Sequence, residues 1–219
     1  MSTASAGDPV MKTNRLILTS RRHGAGFSIL ELMVTITVLS VLLAIAIPSF
    51  RGVMRRNSVS SAAGNLMGDL QYARGEAATR HKFVSLCRST DGKTCAADAA
   101  TTSYEQGWLV YSYDADVDGP NQPFTPTKAD HELLRVGGLQ DRVSIEATDG
   151  NVMTFGQSGL PMANAGRTNE NFVVCIRPSG VTTGPGENSN ETPGSQIAIG
   201  ASGSVASSQV AVGAPCTAS

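Results

Sequence analysis

Residues 27–47, FSILELMVTITVLSVLLAIAI, form a run of 21 residues with one ionisable side chain, Glu31. As a helix rising about 1.5 Å per residue, the run matches a hydrocarbon core about 30 Å thick, so it can span a bilayer. A secretory signal would have a shorter apolar stretch closed by a small-x-small cleavage site, and would then be discarded. No A-x-A pattern closes this run; Pro48, Ser49, Phe50 and Arg51 follow, and the helical pattern continues beyond them. The apolar segment is therefore expected to stay in the mature chain.

Glu31 is the anomaly in that segment. An acid at the middle of a membrane helix costs roughly 2.5–3.5 kcal/mol, and less near an end, so it calls for a cationic partner. Cleavage after Gly26 would create one, because the new amino group of Phe27 lies four positions before Glu31. That is one helical turn, close enough to neutralise the acid within the chain or from a neighbouring copy. The residues before Gly26 carry Lys12, Arg15, Arg21 and Arg22 against Asp8, while Arg51, Arg55 and Arg56 flank the other end. Counting positive charges therefore decides little about orientation. Ser20-Arg21-Arg22 has the start of a twin-arginine signal, but His23-Gly24-Ala25 does not continue it. Met11 is an alternative start that would leave the mature chain unchanged.

Gly26-Phe27-Ser28-Ile29-Leu30-Glu31-Leu32 resembles the class III signal of type IV pilins and type II secretion pseudopilins. The resemblance implies that a membrane-embedded aspartyl prepilin peptidase cuts between Gly26 and Phe27 and N-methylates Phe27. It further implies that Glu31 docks the subunit against the amino terminus of a neighbour. The implied partners are other pilin or pseudopilin subunits, the prepilin peptidase and, before assembly, inner-membrane lipid. The implied location is the inner membrane, single-pass with a periplasmic C-terminal domain, and then a pilus or pseudopilus. Many pilins carry proline where Pro48 stands here, and a helix-interior proline removes one backbone hydrogen bond and favours a kink.

Composition narrows the exported part. The chain of 219 residues has net charge −1; the first 26 hold four basic residues and one acid, leaving 13 Lys+Arg and 17 Asp+Glu, or −4, in the remainder. That balance does not suit a general nucleic-acid coat. Residues 82–219 suffice for one small domain with its own core. The four cysteines, Cys87, Cys95, Cys175 and Cys216, include no C-x-x-C pair. Beyond a membrane anchor they meet oxidising conditions, so disulfides are expected. Of three possible pairings, Cys87 with Cys95 and Cys175 with Cys216 is preferred, the first closing a short loop and the second tying down the tail. Ligand spacing and the scarcity of nearby histidine argue against zinc.

After Pro48, Val59, Ala63, Leu66, Leu70, Ala73 and Ala77 recur at steps of three and four, which predicts one apolar stripe on a helix reaching about residue 81. Gly64, Gly68 and Gly75 weaken that helix by up to about 1 kcal/mol each relative to alanine, so tertiary contacts must hold it. Beyond it, short β-like runs lie near 83–87, 108–113, 132–136, 143–147, 152–155, 172–177 and 196–200, with a weaker one at 205–210. Residues 178–195, rich in Gly, Pro, Asn and Thr, predict a long mobile loop. The expected organisation is a leader at 1–26, a transmembrane polymerisation helix at 27–47, its amphipathic continuation at 48–81 and a β-rich domain at 82–219. Strands following one long helix imply an α+β fold with a mainly antiparallel sheet.

The stretch from Leu70 to Ala77, then Val84 to Cys87 and Gly107 to Tyr111, is similar to the GspH/FimT family of minor pseudopilins and minor pilins. The resemblance implies a low-copy subunit, at a pilus tip or priming its assembly, with a type II secretion pseudopilin as the alternative. Some FimT proteins bind DNA through a Gly-Arg-x-Arg motif, but the corresponding stretch here is Gly203-Ser204-Val205-Ala206, without either arginine. No Lys or Arg occurs from Val181 to the end, so the electrostatic footprint for phosphate contacts is missing there, and DNA is not the expected partner. Asp114, Asp116 and Asp118, followed by Gly119, open like an EF-hand calcium loop, but Thr125 stands where the bidentate glutamate belongs. No other cofactor is suggested. His23, His81 and His131 stand in no recognisable nucleophile or metal motif, so an enzyme is not expected.

Overall fold

The structure, a computed structural model, describes residues 26–96, 98, 100–138, 142–166 and 168–219. Lys12, Arg15, Arg21, Arg22 and the other leader residues lie outside the described residues. Gly26, Phe27 and Ser28 are exposed and non-helical. Helix α1 then runs Ile29–Arg80, and its backbone includes Pro48. Contacts divide the chain into a unit ending at Ala44 and a compact unit from Ile45 onward.

In the second unit, α1 has the stripe that its spacing predicts. Val59, Ala62, Ala63, Leu66, Leu70, Ala73 and Ala77 are buried, whereas Gly64, Gly68 and Gly75 face outward. The helix stops at His81, whose φ of 53° turns the chain left-handed. Gln157 Nε2 donates 3.0 Å to the His81 carbonyl, fixing that exit.

Among the described residues eight strands follow: β1 (Phe83–Arg88), β2 (Trp108–Tyr113), β3 (Glu132–Gly137), β4 (Val143–Ala147), β5 (Met153–Phe155), β6 (Glu170–Ile176), β7 (Ser195–Ile199) and β8 (Val205–Gln209). They form two antiparallel sheets, ordered β3-β2-β1-β5 and β4-β6-β7-β8. The fold is α+β, a long helix packed on mainly antiparallel sheet.

Strand alternation explains how both faces of a sheet can be buried. Val84, Leu86, Trp108 and Val110 join the helix stripe in one core, together with Ile145, Phe172, Val174, Ile197 and Ile199 from the second sheet. The intervening residues Phe83, Cys87, Leu109, Tyr111 and Tyr113 form a second cluster capped by Phe124. On β6, Val173 and Cys175 likewise face the tail residues Val210 and Cys216. This is why β1 and β2 are buried along their whole length and show no polar alternation.

The residues at 178–194 make no strand, but they are tied to their surroundings. Glu187 bridges Ile176, Arg177 donates to the carbonyls of Thr182 and Gly184, and Asn188 Nδ2 donates 2.6 Å to the Ala211 carbonyl.

Candidate functional site

The N-terminal segment is built by a helix start. The Ser28 hydroxyl accepts from the Leu30 N–H at 3.3 Å, and the Ser28 carbonyl accepts from Leu32 N–H at 3.0 Å. Ser28 is thus the N-cap, and Glu31 falls three residues later in the first turn. Ser-x-x-Glu is a capping-box spacing, a sequence signal that a reading centred on the carboxylate's burial passes over. An acid in the first turn also faces the positive end of the helix dipole. Phe27 and Glu31 therefore bracket an exposed helix start, with Gly26 exposed just before it. From Phe27 to Met54 every Phe, Ile, Leu, Met and Val is exposed. Among the described residues α1 is the one helix long and apolar enough to cross a membrane.

A different set of residues fastens α1 to the sheets. Asp69, on the buried side of the helix, accepts from Trp108 Nε1 at 2.8 Å through one oxygen and from Arg135 Nη1 at 2.8 Å through the other. The Arg135 guanidinium, held over the Tyr72 ring at 4.1 Å, is pushed further up by its hydrogen bond to Asp69. Gly137 lies against the Trp108 ring so closely that a Cβ would fall 2.0 Å from Cε2. One turn further on, Arg74 donates to the Gly159 carbonyl and to the Ser202 carbonyl, each at 3.2 Å. Gly203, with φ of 74°, would place a Cβ 2.5 Å from that same Gly159 oxygen. Sequence reasoning saw a stripe and a tryptophan strand but not the carboxylate joining them, since pairing at a separation of 66 residues has no local signature.

The cysteines are brought together as Cys87–Cys95 and Cys175–Cys216, with Cα–Cα distances of 5.7 and 6.1 Å. The first holds the hairpin after β1; the second holds the C-terminal tail on the outer face of β6.

Two of the three acids of the 114–118 loop, Asp114 and Asp118, have separate tasks. Asp114 Oδ1 accepts from the Asp116 N–H at 3.0 Å, which shapes the turn. Asp118 accepts from Lys128 Nζ at 2.6 Å, and that bond holds its carboxyl below the usual range. The potential ligand atoms that gather within 4.8 Å among the described residues belong to Asp118, Asp130 and His131. His131 is packed among Tyr111, Tyr113 and Phe124, and its Nδ1 accepts from Thr125 N–H at 3.2 Å. Its Nε2 lies 3.6 Å from Asp118 Oδ2. The arrangement closes a loop over the aromatic cluster.

Among the described residues, one long helix with a membrane-length exposed apolar segment at its start, followed by a disulfide-bonded antiparallel domain, defines a pilin-like protein with an N-terminal membrane-spanning helix. Residues 62–203 match the family described as type II transport protein GspH, and residues 21–47 match the prokaryotic N-terminal methylation motif. The chain belongs to the GspH family, and so is a minor subunit of a pilus or pseudopilus type of assembly that interacts with other pilin-like subunits.

Two crystal structures of the type IV minor pilin FimU from Pseudomonas aeruginosa strain PAO1 are similar at 19% identity. The P21 form covers 69% of this chain and 88% of that one with a TM-score of 0.44; the P65 form covers 68% and 91% with a TM-score of 0.42. No curated protein matches significantly.

Proposed function

We propose that this chain is a minor pilin that primes type IV pilus assembly or sits at the pilus tip. A prepilin peptidase would cut between Gly26 and Phe27 and N-methylate Phe27. The observation that carries this reading is a first-turn carboxylate, Glu31, at the start of a fully exposed apolar helix segment directly after Gly26-Phe27. Such a segment needs lipid before assembly and other helices afterwards, and its lone acid needs the amine that cleavage supplies. Residues 27–47 act as the polymerisation spine, Pro48 loosens the helix beyond it, and the β-rich domain is the exposed adaptor.

The family description, type II transport protein, favours a second reading, a minor pseudopilin of type II secretion. Intact-mass analysis of the membrane-extracted protein tests the shared part: the mature chain should begin at Phe27 and carry one added methyl group. A mature chain beginning downstream of residue 47 would overturn both readings. Deletion separates them, since loss of twitching with secretion intact supports the pilus and the reverse supports the pseudopilus.

A further inference from the structure

Among the described residues the two sheets present four edges, and three of them are guarded. Along β4, the segment before β2 covers the edge: Tyr104 N–H donates 2.8 Å to Ile145, Ala147 N–H donates 2.9 Å to Thr102, and Ser103 bridges Glu146. Along β5, Met162 N–H donates 2.8 Å to Thr154 and Pro161 bridges Phe155. The edge strand β3 carries Glu132 and Arg135 and pairs through a register shift at Val110/Tyr111. Charges and irregularities of this kind keep other chains from adding to an edge.

The edge strand β8 has none of these devices. Its sequence, VASSQ, contains no charge and no proline, and Ala206 to Gln209 are exposed. The phase of its ladder follows from two flanking bonds: Gly200 N–H to Ser204 at 3.0 Å and Val210 N–H to Gly194 at 2.9 Å. Antiparallel pairs alternate, so Ala206 and Ser208 are bonded to Ala198 and Gln196. Val205, Ser207 and Gln209 consequently direct their main-chain N–H and C=O groups away from β7. Beside this edge lies a groove of about 490 Å³, walled on the helix side by Ser60, Ala63 and Gly64 and on the other by Ser207 and Gln209. Ser60, Ala63, Gly64, Gly194, Ser195 and Ser207 on its walls leave room for a backbone, and Arg56, the single charged residue lining it among the described residues, donates to the Glu191 and Asn190 carbonyls but faces no carboxylate there.

We infer that β8 is a strand-addition site, which takes an extended segment of a different pilin-like subunit as a fifth strand, with an acidic residue of that segment facing Arg56. The inference rests on the assembly reading above and deepens it by naming the contact surface. Strand addition supplies affinity through main-chain hydrogen bonds, which is the chemistry that the outward groups of Val205, Ser207 and Gln209 offer. A second copy adding through its own β8 fits less well, because that strand is uncharged and brings no carboxylate to Arg56.

The test uses the full chain in its host. Ser207→Pro deletes an N–H that points away from β7, so the β7–β8 ladder survives while an added strand loses its bond. Ser207→Lys guards the edge with a charge, and Ser207→Thr preserves it. Filaments are sheared from the cells and the amount of the chain in them is measured. Amide exchange is measured on the same variants purified in detergent.

Ser207→Thr should be recovered at the wild-type level, whereas Ser207→Pro and Ser207→Lys should fall at least ten-fold. The amides of Gln196 and Ala198 should stay protected in every variant, and those of Val205, Ser207 and Gln209 should exchange fast in the isolated wild-type chain. Wild-type recovery of both Ser207→Pro and Ser207→Lys would overturn the inference while leaving the assembly reading intact. So would slow exchange of the outward amides in the isolated chain, or protection that appears with the chain's own concentration. Absence of the wild-type chain from filaments would overturn the assembly reading itself.

Discussion

Two stretches of α1 have the same secondary structure and opposite relations to their surroundings. From Ile29 to Met54 the large apolar side chains are all exposed, on every side of the helix. From Val59 to Ala77 the apolar residues occupy one stripe and are buried, Leu66, Leu70, Ala73 and Ala77 completely. A helix that is apolar all round needs an apolar medium, whereas a striped one needs a single partner surface. The difference teaches that helix formation says little about what a helix is for. The angular spread of its apolar residues says more.

The change that should break the first stretch most severely is Glu31→Ala. It leaves the Gly26-Phe27 junction untouched but removes the carboxylate of the first turn. Cleavage should proceed normally, while recovery in filaments should fall by about an order of magnitude or more, a loss of at least about 1.4 kcal/mol in association. Immunoblots of processed protein and sheared filaments measure the two quantities separately, and equal recovery of mutant and wild type would remove Glu31 from the assembly contact.

The second stretch should break by a different measure. Leu70→Ala empties a completely buried position and should cost about 2–5 kcal/mol in unfolding. Leu39→Ala, in the exposed stretch, should stay within about 0.5 kcal/mol in the same assay. Chemical unfolding of the full chain in detergent, followed by the fluorescence of Trp108, reads both. Equal losses would mean that the two stretches are not energetically distinct.

Asp69→Ala sharpens the comparison, because it removes the polar clasp of the striped part without touching its apolar residues. It leaves the buried Nε1 of Trp108 unpaired and releases Arg135, at a cost of about 1–3 kcal/mol. Asp69→Asn, which can still accept one hydrogen bond, should recover part of that loss.

Much of this was legible in the sequence, for reasons particular residues show. The step of three and four from Val59 to Ala77 names the buried face of α1, because one helix face is a local property of the chain. The β-like runs at 83–87 and 108–113 can likewise be read from their composition and their flanking turns. Which residues share a sheet could not be read, since β5 pairs with β1 across the whole of β2 to β4, and distant pairing leaves no periodicity. Positions such as Asp69, Arg74 and Gly203 escaped for the same reason: each is defined by partners at least 39 residues away along the chain. The acids of the 114–118 loop lie close together in sequence, yet Asp114 shapes a turn while Asp118 reaches Lys128, a pairing their spacing does not show.

The smallest expected effect concerns what supports the striped part from the second sheet. Glu146 lies between Ile145 and Ala147, both part of the core beneath the stripe, and accepts from the Thr102 hydroxyl at 2.7 Å. Burial pushes its carboxyl above the ordinary 4.5, against the hydrogen bond from Thr102, with Glu105 adding to the rise and Arg177 opposing it. A carboxyl whose folded value lies above its unfolded one holds its proton more tightly when folded. Its contribution to stability is complete below the unfolded value and is lost as pH rises through the folded one. Asp118, held low by Lys128, has the opposite sign: its contribution is present above its unfolded value and lost on acidification. Glu146→Gln keeps an acceptor for Thr102 and abolishes the titration, so its gain over wild type should grow as pH rises from about 4 through the raised folded value and then level off. Unfolding midpoints of the two proteins across that range measure the slope. A difference that stays constant with pH would show that this buried carboxylate imposes no electrostatic cost on the sheet beneath the stripe.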